Sequence, residues 1–206
     1  MDFQVHEGEF TTENGQKKAV EFMGSMENAF LETAKATGFM KYYGGRQYAF
    51  AALLPNEGVT VAELVAGLTG TDLHNLLAHP LTEYDVITSI PKFESESSME
   101  LSDVLKAMGM PDAFDENRAD FTAMGNTDDS NIYISRVLHK TFIAVAEQGT
   151  RAGAATVVEM AKETSAGPGN EPEPKVVRLD RPFVYMLVDI ETGTPFFIGT
   201  MMDPVA

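Results

Sequence analysis

Glu147-Gln148-Gly149-Thr150-Arg151-Ala152-Gly153-Ala154-Ala155-Thr156 is the stretch that decides the fold. Read as a strand, its side chains alternate between two faces. Thr150, Ala152, Ala154, Thr156, Val158 and Met160 fall on one face, which carries no charge and no large side chain until its end. Arg151, Gly153, Ala155, Val157, Glu159 and Ala161 fall on the other, which holds both charges. A strand of this kind fits between existing strands, with one face against a core and the other against solvent. Gly149, Gly153 and the flanking sequence also allow an exposed segment, an Ala-rich helix or a plain linker.

The residues on either side sharpen the picture. Ile132–Glu147 is rich in β-branched and aromatic residues and holds no Gly or Pro over 16 residues, against about 5–6 for a usual strand. It predicts a long strand in a large sheet. Residues 163–175 are rich in Gly, Pro and Glu and read as a flexible exposed loop. A hairpin follows, Pro182–Val188 and Phe196–Met201 around a turn at Thr192-Gly193.

Toward the N-terminus, residues 9–23 read as a hairpin, with Asn14-Gly15 supplying the positive φ angles of a tight turn. Met26, Phe30 and Ala34 are four apart, so local propensity over 24–40 favours a helix. Tyr48–Leu54, closed by Pro55, fits a strand buried on both faces. Thr60 and Glu63 form a capping box ahead of Val61, Leu64, Val65 and Leu68, with Gly70 as the stop. A second helix is expected from Thr71-Asp72 to the residue before Pro80. Residues 84–94 are strand-like. Ser97 and Glu100 suggest another capping box, ahead of Leu101, Val104, Leu105 and Met108. Met99, Met108 and Met110 read as core filler.

Composition narrows the function. The 206 residues are 44% apolar and 9% aromatic, which excludes a disordered chain. With 31 acidic and 15 basic residues the net charge is −16, so nucleic acid is not an expected partner. There is no cysteine, which excludes disulfides, thiol catalysis and thiolate metal sites. No apolar run reaches the roughly 18 residues of a membrane span, and Met1–Glu7 has neither a basic nor an apolar leader region. No membrane partner, metal or cofactor is expected. His6, His74, His79 and His139 lack metal-ligand spacing with a carboxylate. Ser135 and His139 are four apart on the expected strand, about 13 Å, too far for a nucleophile–base hydrogen bond. No P-loop, G-x-S-x-G or dinucleotide fingerprint is present.

With these residues in hand, the chain resembles the serpin family of serine protease inhibitors. Glu147–Thr156 resembles the hinge of the serpin reactive-centre loop, and Ile134–Lys140 resembles strand five of sheet A. Arg181–Tyr185 and Phe196–Pro204 resemble the family's C-terminal strand pair and closing motif. Phe39–Tyr43 and Leu53–Gly58 match sheet B; Ile90–Glu94 and Met108–Phe114 match further along. The similarity covers essentially the whole chain, in order, and corresponds to the C-terminal half of a serpin.

The resemblance implies an α+β, multi-sheet fold: portions of sheets A, B and C, a few helices and the reactive-centre loop. Residues 1–206 are then the C-terminal portion of one domain, with the loop at 148–176. It also makes residues 33–43 a sheet-B strand, against the helical propensity. The N-terminal helices and several strands of sheet A have no counterpart, and any signal peptide belongs to that part. The implied activity is inhibition, not enzymatic catalysis. A target serine protease cleaves the loop and is trapped as an acyl-enzyme, which makes the chain a suicide substrate, while the loop inserts into sheet A as an added strand and stored strain is released. The hinge residues are Glu147, Gly149, Thr150, Ala152, Ala154 and Thr156. The inward positions are small, as insertion requires; Arg151 departs from the usual acidic residue but lies on the outward phase.

Family spacing of sixteen residues from Glu147 puts the scissile bond at Glu163-Thr164. Because Thr164–Arg181 is longer than the usual stretch, Lys162 is the alternative P1 residue, suited to a trypsin-like pocket. Met160 or Ala161 would suit chymotrypsin-like or elastase-like pockets. His139 resembles the family's shutter histidine, a structural residue whose partner lies in the other half. The resemblance further implies extracellular action. For this chain it implies pairing with an N-terminal serpin portion, or self-association through exposed strand edges. A non-inhibitory binding protein and an incomplete, inactive fragment are the alternatives.

Overall fold

The computed structural model describes residues 4–125, 131–147, 149–150 and 172–204. It divides into two compact units, one made of the residues up to Ser95 together with those from Ala144 onward, the other of Glu96–Ile143.

The first unit is built on strands. β1 (Gln4–Thr11) and β2 (Lys17–Glu27) form the hairpin expected from Asn14-Gly15. Only Gly15 takes a positive φ, at 80°. The turn is wider than a two-residue connection, closed by Gly15 N–H to Thr12 O and Thr12 N–H to Gln16 O. β3 (Phe30–Glu32), β4 (Ala36–Tyr42) and β5 (Tyr48–Pro55) follow. The helical expectation for 24–40 is therefore wrong, and the strand expectation for 33–43 holds. β6 (Val86–Pro91) comes after two helices.

The helices are set by their caps. Thr60 and Glu63 make the expected reciprocal box before α1 (Val61–Gly67). α2 (Gly70–Ala78) begins earlier than predicted, because Thr69 and Asp72 form a second box. Gly70 is its first residue instead of the stop of α1. Both caps satisfy helix-end N–H groups that otherwise have no partner.

Beyond these come β7 (Phe93–Glu100), β8 (Leu138–Ala146), β9 (Gly149–Thr150), β10 (Lys175–Arg178), β11 (Phe183–Asp189) and β12 (Thr194–Met201). They make three sheets, of order β12-β11-β5-β4-β3, β1-β2-β6-β10 and β7-β8-β9. In the first two every pairing is antiparallel except β10 with β6.

β5 is buried on both faces, as its apolar run implies. Ala49, Ala51 and Leu53 pack with Met40, Val184, Met186 and the helix residues Val61, Leu64 and Leu77. The opposite phase carries an aromatic core. Phe183 is fully buried, with ring centroids of Phe10, Phe93 and Tyr185 at 6.5, 6.0 and 6.3 Å, all edge-on. Burial pushes the Tyr185 phenol up, partly offset by its hydrogen bond with Ser95. At Gly38 a side chain would run into the carbonyl of Ala52, so β4 and β5 need glycine there.

The second unit corrects three expectations. Ser97 and Glu100 lie in β7, not in a helix cap; α3 spans only Ser102–Ala107 and has no side-chain cap at Leu101. The strand expected over 132–147 starts at Leu138. Upstream of it, backbone groups bond elsewhere: Ile134 N–H to Ala113 O at 2.9 Å, Leu101 N–H to Val137 O at 2.9 Å, Val137 N–H to Ser102 Oγ at 3.0 Å. With those groups committed to a helix start and a 3-10 turn (Asp112–Phe114), no ladder forms. Met99, Met108 and Met110 are exposed, not core filler.

Candidate functional site

The long apolar run ends in the site. β8 turns back into β9, with Val145 opposite Thr150 and Ala146 opposite Gly149, antiparallel. β9 lies on the flank of β8 away from β7. Thr150 shares its register position with Val145, which is buried. β9 is therefore a two-residue strand at the edge of this sheet among the described residues, antiparallel to β8.

An ion triad fixes the turn. Lys92 Nζ pairs with Glu147 and, at 3.0 Å, with Glu21 Oε2; Lys92 N–H also bonds Glu21 O at 2.8 Å. The hydrogen bond from Lys92, then one from its own backbone N–H, and after these the Lys92 charge hold the Glu147 carboxyl below its ordinary value of 4.5. Glu147 and then Glu21 raise Lys92 above 10.5. Sequence reading named Glu147 but not this partnership: 55 positions separate it from Lys92, and no local signal links them.

The sign of the pH effect follows. Glu147 is depressed on folding, so its contribution is present above 4.5 and fades as pH falls through the lowered value. Lys92 is raised, so its contribution is present below 10.5 and fades above. Amide protection at Gly149 and Thr150, corrected for intrinsic exchange, should fall below pH 4.5. In Lys92→Met it should be low at every pH. A flat wild-type profile across that range would show that the triad does not hold the turn.

The other predicted positions are placed as follows. His139 is exposed on β8, and among the described residues its imidazole has no hydrogen-bond partner. Ser135 lies upstream of β8 and is not on a strand. His74 Nε2 meets Thr192 O at 3.1 Å, His79 Nδ1 meets Asn75 O at 3.1 Å, and His6 stacks on Phe22 with centroids 5.8 Å apart. Ala152, Ala154, Thr156, Lys162, Glu163 and Thr164 lie outside the described residues. Among the described residues no group of His, Asp or Glu is arranged to hold a metal, and no helix is long and apolar enough to cross a membrane.

Among the described residues, three sheets with a few short helices, and a short strand at a sheet edge after β8, define an α+β, multi-sheet protein. The profile of the family Serpin (serine protease inhibitor) matches residues 2–204. An uncharacterized serpin-like protein of Thermococcus kodakarensis is 40% identical over 162 residues, 79% of this chain and 36% of that protein. The crystal structure of the thermophilic serpin tengpin in its native state is 42% identical, with a TM-score of 0.81 over 97% of this chain and 50% of that one. A loop C-sheet serpin polymer is 35% identical, with a TM-score of 0.70 over 98% of this chain and 50% of that one. The chain belongs to the serpin family. It spans about half the length of the solved serpins it matches.

Proposed function

We propose that the chain is the C-terminal portion, residues 1–206, of a single inhibitory serpin domain, with the reactive-centre loop at 148–176. A serine protease cleaves the loop at Glu163-Thr164, or after Lys162, and is held as an acyl-enzyme while the loop's N-terminal side adds to the sheet beside β8. The observation that carries this reading is β9. Two residues of the loop are already paired antiparallel with β8, so insertion extends an existing strand and starts no new one. The small residues at 152, 154 and 156 keep the inward face free of the overpacking that costs about 1–3 kcal/mol per misfit. Extracellular action follows from the same reading, as does the assignment of His139 as a shutter residue completed by the N-terminal portion.

Incubation with trypsin-, chymotrypsin-, elastase- and glutamyl-specific proteases tests it. An SDS-stable complex with one of them is the expected result. Mass spectrometry of the released peptide then fixes the scissile bond. Clean cleavage by all four without a complex would favour a non-inhibitory chain.

A specific observation supports a second reading, in which this chain by itself is incomplete and inactive. Leu138 and Phe142 on β8 are 53% and 51% exposed, and on β12 Phe196 and Ile198 are 59% and 58% exposed. Side chains of this size on strands invite strand pairing between chains. The isolated chain is expected to self-associate, or to pair with an N-terminal serpin portion supplied in trans. Sedimentation of a stable monomer, unaltered by that portion, would overturn this.

A further inference from the structure

β10 is a weak strand by construction. It has four residues and, among the described residues, lies at the edge of its sheet and pairs on one side only, in parallel with β6. Its far end is well anchored. Leu179 is fully buried and its N–H bonds Ser89 O at 2.9 Å; Thr11 N–H bonds Asp180 O at 2.8 Å; Arg181 Nη2 donates to Pro55 O at 2.8 Å. Its near end, which joins the proposed reactive loop, has less. Val176 is 53% exposed, and Lys175 N–H makes a single bond to Asp85 O at 2.8 Å.

At that same residue the ammonium of Lys175 sits over two rings, 4.6 Å from the centroid of Tyr84 and 5.4 Å from that of Phe30. The rings stand edge to face, 5.9 Å apart at 71°. The cage is stiff: Phe30 is buried, and its backbone exchanges two 2.9 Å hydrogen bonds with Leu81. Phe30 belongs to β3 of the five-stranded sheet, so Lys175 ties the edge strand of one sheet to a strand of another.

We propose that Lys175, caged by Phe30 and Tyr84, is the latch that holds the loop-side end of β10 in its sheet. β10 then peels from Lys175 toward Leu179, and the cage sets how often it does so. Resting on the loop-insertion reading, the latch limits how much slack the loop can draw from its C-terminal side before cleavage.

Hydrogen exchange of residues 175–178 in the full, unreacted chain tests the latch. Lys175→Met keeps the stem and removes the charge; Tyr84→Leu removes a ring face. Each should raise exchange of these amides about five- to thirtyfold, the range a partly desolvated cation–π contact commands. Lys175→Arg should stay within about twofold of wild type, and β5 and β11 should be unchanged in all three. Wild-type exchange in Lys175→Met or Tyr84→Leu would overturn the proposal. So would equal acceleration in β5 and β11, or an Arg variant as fast as the Met variant. No protease is present, so these outcomes leave loop insertion untouched, and failure of loop insertion leaves the latch standing.

Discussion

A protease trapped by the wild-type chain is expected to escape from the Thr150→Arg variant. Position 150 pairs in register with Val145, and Val145 is buried. The alternation of the loop puts residue 150 on the same uncharged face as Ala152, Ala154 and Thr156. Insertion of the variant must therefore carry a guanidinium into the sheet's packed side without a carboxylate to meet it. An unpaired charge in that setting costs about 3–5 kcal/mol, which slows insertion relative to hydrolysis of the acyl-enzyme by roughly 10²–10⁴-fold. On a denaturing gel the covalent complex should vanish, and the cleaved chain with free, active protease should replace it. The comparison is made in whichever form traps the wild-type complex, the chain alone or the chain with an N-terminal serpin portion. Arg at 151, already native, marks the control: that position falls on the outward phase. Retention of the complex by Thr150→Arg would mean that the loop does not enter the sheet.

Phe183→Ala should be the most destabilising single truncation in the aromatic core. The ring is fully buried and touches three others, from β1, β7 and β11. Removing it deletes the transfer energy of the ring and leaves a cavity among neighbours that cannot all close in. The expected loss is about 3–5 kcal/mol, read as a shift in the denaturant midpoint. Phe196→Ala removes the same side chain where it is 59% exposed, and should change stability by no more than about 0.5 kcal/mol. Equal effects of the two substitutions would mean that the aromatic cluster does not carry this share of the stability.

The legible parts of the fold are those whose signal is local. The Thr60–Glu63 box, the strand run ending at Pro55 and both terminal hairpins follow from a few adjacent residues, and the structure keeps them. The failure over 24–40 has a simple origin. A spacing of four puts residues on one face of a helix, but four is also twice the strand period, so Met26 and Phe30 are compatible with both. β8 is shorter than the run 132–147 because β-branched composition measures fitness for a sheet and not the availability of partners; Ile134 and Val137 find theirs in a turn and a helix start. At the site, the alternation of the hinge is readable in the sequence, and of the hinge stretch beyond Glu147 the structure describes only Gly149–Thr150, as β9. The Lys92–Glu147–Glu21 triad and the Lys175 cage were not visible, since each joins residues brought together only by sheet pairing.

The strand order of the five-stranded sheet also dictates a timetable. β5 pairs with β11, Leu53 opposite Val184, a separation of 184 − 53 = 131 positions. At a synthesis rate of about 5–20 residues per second, β5 waits roughly 7–26 s for that neighbour. Through that interval its apolar backbone edge stands open, shielded on one side only by β4. A chaperone that holds nascent chains has its longest opportunity there, and slow translation between the two strands would be expected to lower the yield of folded protein.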